Sequence, residues 1–260
     1  MLQTAAGQTI AFSSAQKLNN KTPQFRILGK NSEGVIVYKY GRKKNIIEAY
    51  NSNMRLRWEK TVNTRPDGII RKFIIYPQKV LMFYLADVKD SRVLYVDMLN
   101  SKFSGGGKPA VIDTFSNMRY DVGAVLKVIE SQDKRKLITY VPEFDGSTLT
   151  GMRLIGMDHM LLPMYNERLQ LPTDQPWQMR NIEVDNHGNV FFLMENEERT
   201  KKRSTGGPGF LVLKYDSAGG NLIQVPFLMQ KNVHGRLWLE IDNVNGHVII
   251  TGLYSDEKEN

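Results

Sequence analysis

A pair of apolar strands joined by a tight turn recurs five times along this chain, and no other feature constrains its fold as strongly. The pairs are 25–28 with 34–38, 73–76 with 79–84, 125–129 with 136–140, 182–185 with 188–193, and 239–242 with 246–250. Their second strands begin at positions 34, 79, 136, 188 and 246, a period of about 50 residues. A strand-turn-strand unit kept at such a period is the mark of a radial β array.

The remainder of each repeat completes the unit. Third strands read at 45–50, 93–96, 151–155 and 210–215, and fourth strands at 54–58, 110–115, 160–168 and 223–228. Four antiparallel strands joined by hairpins cannot hide both of their faces, so neighbouring units must stack to build a continuous core. The expected fold class is therefore all-β, a β-propeller of four-stranded antiparallel blades near 24–62, 69–116, 122–171 and 178–230, with a broken blade from 236. The fifth unit ends after two strands, ahead of a polar stretch at 256–260. The propeller segment is expected over 9–255, as a fragment holding about four and a half blades of a larger propeller. An apolar edge at 248–253 should then be exposed or paired with a strand-like stretch at 9–13. A smaller self-contained β-sheet protein is the competing expectation.

Composition narrows the class further. The absence of cysteine rules out disulfides and thiol chemistry. The apolar run at 80–86 is far shorter than the ~20 residues of a membrane-spanning helix. Ala5 and Gly7 resemble the end of a secretory signal cleaved before Gln8, which favours export to the periplasm or cell surface. An ordinary disordered N-terminus over 1–8, and a cytoplasmic protein, stay open. A formal charge of +8 suits anionic surfaces. The basic residues, however, fall in separate hairpins, at Arg42, Lys43 and Lys44, at Lys134, Arg135 and Lys136, and at Lys201, Lys202 and Arg203. The aromatic residues alternate into strands instead of forming one stacking face, which argues against nucleic acid. Anionic-polymer binding through the basic loops remains an alternative.

Few motifs carry chemistry. The hairpin at 195–209 mixes acidic, basic and glycine-rich runs and exceeds the usual ~2–5 residues, so Lys201, Lys202 and Arg203 are the candidate binding residues. A second flexible stretch is expected at 101–109. Its Gly107-Lys108 pair fails as a phosphate loop because Lys102 stands where the first glycine belongs and Pro109 where a hydroxyl should hold magnesium. The four histidines have no zinc-helix spacing, and the segments around His187 and His247 read as Asp/Asn/Gly turns. No metal or cofactor is expected. No nucleophile elbow occurs. Asp121, Asp145, Asp158 and Asp174 are nominal acid-base candidates near strand ends.

The run Ile182-Glu183-Val184-Asp185-Asn186-His187-Gly188-Asn189-Val190-Phe191-Phe192-Leu193, followed by Phe210-Leu211-Val212-Leu213-Lys214-Tyr215-Asp216, resembles the divergent six- to eight-bladed propellers of exported bacterial proteins, which repeat a Val-Asp-x-x-Gly-Asn-Val strand pair and a later apolar strand ending in Tyr-Asp. The resemblance extends over about residues 24–255. It implies a non-enzymatic scaffold or binding module whose partner is another envelope protein. Some members of that group are hydrolases or lyases, so a propeller enzyme acting on glycans is the alternative.

Overall fold

Strand-forming side chains set each hairpin, and positive-φ positions close its turns. The computed structural model describes residues 24–41, 44–116, 122–146, 148–171, 177–196, 209–227 and 237–252. The chain divides into two compact units, 1–120 and 121–260.

In unit 1, β1 (Gln24–Asn31), β2 (Gly34–Tyr40), β3 (Asn45–Tyr50) and β4 (Leu56–Thr61) form one antiparallel sheet in sequence order. A second sheet repeats the plan with β5 (Ile69–Ile75), β6 (Lys79–Val88), β7 (Ser91–Asn100) and β8 (Ala110–Ser116). Their shared core joins Ile36 and Ile47 of the first sheet to Phe73, Met82 and Tyr84 of the second.

Unit 2 begins with α1 (Val122–Val125), the one helical element among the described residues, followed by β9 (Lys127–Glu130), β10 (Lys136–Asp145), β11 (Thr148–Asp158) and β12 (Pro163–Gln170). The next sheet holds β13 (Trp177–Val184), β14 (Val190–Asn196), β15 (Phe210–Asp216) and β16 (Asn221–Phe227), and β17 (Leu237–Asp242) pairs β18 (His247–Gly252) alone. Four blade-like antiparallel sheets and a two-stranded fifth unit make this the sheet plan of a propeller-like all-β fold, as the repeats require.

Strand β14 explains why its sequence does not alternate. Phe192 and Met194 pack towards β10 and β11 through Ile138 and Leu154, while Phe191 and Leu193 pack towards β17 through Leu237 and Leu239. A strand covered on both faces reads as a continuous apolar run.

Several boundaries depart from the sequence reading. The first strand of the third unit, expected from Val125, begins at Lys127. Val122 and Leu126 are both buried and lie one helical turn apart, so a turn of helix, with the Leu126 N–H donating to the Val122 carbonyl at 2.8 Å, puts both in the core. Met54 and Met160, expected in fourth strands, sit in turns instead. The stretch at 101–109, expected to be flexible, is anchored by Phe103, which is 3% exposed against Phe73 and Trp58. At the other end of the chain, β17 is the one strand neighbour of β18 among the described residues, and Val248 and Ile249 are exposed. The stretch at 9–13 lies outside the described residues.

Candidate interaction site

One turn design recurs between third and fourth strands. The side-chain oxygen of Asn51 accepts the N–H groups of Asn53 and Arg55, that of Asn100 accepts Lys102 and Ser104, and that of Asp158 accepts Met160 and Leu162. The residue three positions on takes left-handed backbone: Met54 at φ 55°, Phe103 at 54° and Leu161 at 68°. Asp185 builds the same turn between β13 and β14, accepting His187 and Asn189 N–H groups, with Gly188 at φ 93°. Asn and Asp suit this position because their short side chains satisfy turn amides that no strand partner can reach.

In a sheet of antiparallel strands joined by hairpins, the first and third turns share an end. The His159 N–H accordingly donates to the Arg135 carbonyl at 3.0 Å. That end of unit 2 is locked across three sheets. The Asp133 N–H donates to Asn186 Oδ1 at 3.1 Å, the Asn186 N–H donates to Asn243 Oδ1 at 2.8 Å, and Asn243 Nδ2 donates to Gln132 Oε1 at 3.2 Å. Further along the same seam the Leu239 N–H donates to Asn181 Oδ1 at 2.8 Å. These bonds fix each hairpin turn against the next, a preorganised frame of the kind on which binding loops are carried.

The carboxylates of this end are engaged locally. Burial alone would raise the Asp133 carboxyl, but the Ser131 hydroxyl, the Arg135 N–H and the charges of Arg135 and Lys136 together hold it below its ordinary value. Asp242 is held low by the Asn245 side chain and by the N–H groups of Val244 and Asn245. Glu183 on β13 is the opposite case. Burial pushes its carboxyl up, as do the charges of Glu240 on β17 and Glu130 on β9, against one hydrogen bond from Asn181 Nδ2 at 3.3 Å. Carboxylates from the first strands of the two neighbouring sheets thus both repel that of Glu183, and among the described residues no group of acidic and histidine side chains has the arrangement of a metal site.

In unit 1 the charged interior is structural. Buried Glu48 accepts Lys39 Nζ at 2.6 Å and the Tyr50 hydroxyl at 2.7 Å. Burial raises the Asp97 carboxyl, partly offset by Arg65.

The residues singled out from sequence are not brought together. Lys201, Lys202 and Arg203 lie outside the described residues, as do Arg42, Lys43, Asp121 and Asp174. The hairpin that carries Lys201 leaves a closed strand pair, with the Asn196 N–H donating to the Gly209 carbonyl at 2.9 Å. Glu195 belongs to β14 and holds Arg180 at 2.6 Å. Asp145 and Asp158 stand at opposite ends of the β10–β11 hairpin, paired with Thr148 and Lys136 respectively. Ten residues of extended chain separate those ends by about 30 Å, so the two carboxylates cannot share a substrate bond. Sequence reasoning missed the interlock of Asp133, Asn186 and Asn243, since a hydrogen bond between turns of different repeats leaves no spacing signal. The Asn51, Asn100 and Asp158 turns were findable, because each falls at the same place between third and fourth strands.

No protein-family model matches the chain, and no curated protein does. Among solved structures it is similar to an uncharacterized protein of Listeria monocytogenes EGD-e, with TM-score 0.42 and 12% identity over 89% of this chain and 60% of that one. It is also similar to the tricorn protease, with TM-score 0.42 and 11% identity over 91% of this chain and 26% of that one. The chain thus spans 60% of the first relative's length and 26% of the second's.

Proposed function

We propose that this chain is a non-enzymatic binding module of the exported, divergent propeller type, holding a protein partner in a cell-envelope assembly. The observation that supports this most directly is the interlocked end of unit 2, where turns of three sheets are tied by the Asp133, Asn186 and Asn243 hydrogen bonds. A surface fixed before contact loses little conformational freedom on binding, which favours recognition of a partner. The aspartates that an acid-base mechanism would draw on at this end, Asp158 among them, are engaged in holding turns.

The hairpin bearing Lys201, Lys202 and Arg203 is the contact proposed from sequence. Replacing all three with Ser should leave stability within about ±0.5 kcal/mol. Capture of an envelope partner in a pull-down should weaken, more at low salt than at high salt, because exposed charge is screened over roughly 10 Å at 0.1 M. Unchanged capture at low salt removes the hairpin from the proposal. Turnover of a glycan by the purified protein would replace the binding reading with the enzymatic one, and recovery of the protein from the cytoplasmic fraction would end the envelope assignment.

A further inference from the structure

We propose that Asn245 is a self-modification site: its side chain condenses with the Gly246 main-chain nitrogen and loses ammonia, at a rate that Asp242 holds in check. The inference concerns the turn between β17 and β18 and is independent of whether this end of unit 2 binds a partner.

Asn245-Gly246 is the one Asn-Gly pair in the sequence. Asparagine is a thermolabile residue, and a glycine after it puts no Cβ in the path of the attacking nitrogen. Both residues are exposed, and nothing stands within 4 Å of where a Gly246 Cβ would lie. In the reaction, Gly246 N gives its proton to hydroxide and bonds to Asn245 Cγ. The Cγ–Nδ2 bond breaks, and Nδ2 takes a proton from water and leaves as ammonia, which returns the hydroxide. The succinimide so formed opens by adding water. Addition at Cγ yields aspartate, whereas addition at the Asn245 main-chain carbonyl carbon yields isoaspartate, whose backbone runs through the side chain. Nothing is oxidised or reduced.

Asp242 holds both reacting groups. Asn245 Nδ2 donates to Asp242 Oδ2 at 2.6 Å, and the Gly246 N–H donates to the Asp242 carbonyl at 2.8 Å. The Asn245 N–H donates to Asp242 Oδ1 at 3.2 Å and so holds the backbone between them. Removing the Gly246 proton therefore breaks a hydrogen bond and builds negative charge in a turn that already contains a carboxylate. That carboxyl is held below its ordinary value, first of all by the Asn245 side chain.

Conversion undoes the turn. It replaces the Asn245 donor with a second carboxylate facing Asp242, so attraction becomes repulsion. Asn243 lies inside the same turn and carries the bonds to Asn186 and Gln132. The last hairpin is thereby released from the interlocked end.

The test ages the full chain in mildly alkaline buffer and follows the tryptic fragment 237–258 by mass spectrometry, with isoaspartate read by enzymatic methylation. Asn51 and Asn100, each followed by serine, are references in the same sample. Asn245 should convert before either, and Asp242→Ala should speed it at least about fivefold, as losing a hydrogen bond to a charged group implies. Asn243→Ala loosens the same hairpin but keeps Asp242, so it should speed conversion less. An Asn245 that stays an amide in the Asp242→Ala protein, or converts no sooner than Asn51 and Asn100, overturns the site. Equal rates in the Asp242→Ala and Asn243→Ala proteins overturn the check by Asp242. Asn245→Asp copies one product directly and should accelerate amide exchange over β18 but not over β10 and β11. Unchanged exchange over β18 overturns the release.

Discussion

The Tyr165 hydroxyl donates to the Gly188 carbonyl oxygen at 3.0 Å, tying the outer strand of one sheet to the first turn of the next. Gly156 makes that bond possible. It is the cross-strand partner of Tyr165, and a Cβ there would lie only 2.4 Å from the Cζ of the phenol ring. Burial, with the neighbouring Tyr215 and Asp185, pushes the Tyr165 phenol far above the ordinary tyrosine range, so it remains a donor.

Gly156→Val should therefore displace the ring and destabilise unit 2 by about 1–3 kcal/mol, the usual cost of forcing extra atoms into a packed site. Tyr165→Phe keeps the ring and loses only the hydroxyl, with an expected cost of about 1 kcal/mol. Urea unfolding distinguishes them, and a Gly156→Val protein with the wild-type midpoint would refute the account.

Lys89 and Phe103 share one backbone conformation, with φ 52° and 54°, and should respond to glycine with opposite signs. Left-handed backbone costs a side-chain-bearing residue about 1–2 kcal/mol, against about 0.4–1 kcal/mol of extra unfolded-state entropy for glycine. Lys89→Gly, at an exposed hairpin, should gain roughly 0.5 kcal/mol. Phe103→Gly empties a buried site against Phe73 and Trp58 and should lose about 3 kcal/mol or more. Thermal midpoints of the two variants that move in the same direction would contradict this.

Glu183 makes stability depend on pH. Its native carboxyl titrates above the ordinary 4.5, so the folded protein prefers the protonated form more than the unfolded chain does. That preference adds stability as pH falls through the native value, and the gain is complete below the unfolded value. Glu183→Gln abolishes it. The stability of the wild type relative to the variant should improve between about pH 7 and about pH 4, and parallel melting curves across that range would rule the effect out.

Asn243→Ala removes both the acceptor of the Asn186 N–H and the donor to Gln132. Amide exchange over β17 and β18 should accelerate, by about fivefold for each ~1 kcal/mol of local stability lost. Exchange in β10 and β11 should be unchanged. Uniform acceleration through unit 2 would mean that Asn243 supports the whole unit and not the last hairpin.

The sequence by itself determined the all-β class, the four-stranded units and the place of nearly every hairpin, because strand side chains alternate or run apolar and Asp, Asn and Gly close turns locally. It also determined that the segments around Asp185 and Asp242 are turns, since each carboxylate finds its amides within four residues. What it could not determine is anything that depends on which repeat lies against which. Phe191 and Phe192 are adjacent in sequence and identical in type, yet they face different cores because two different sheets cover β14. Phe103 was hidden among glycines and polar residues, and only the packed neighbour reveals it as an anchor. The helical turn at Val122 is likewise set by the burial of Leu126 and not by local propensity. The bonds among Asp133, Asn186 and Asn243 span residues far apart in the chain, so they and the face they stiffen come into being only when the sheets stack.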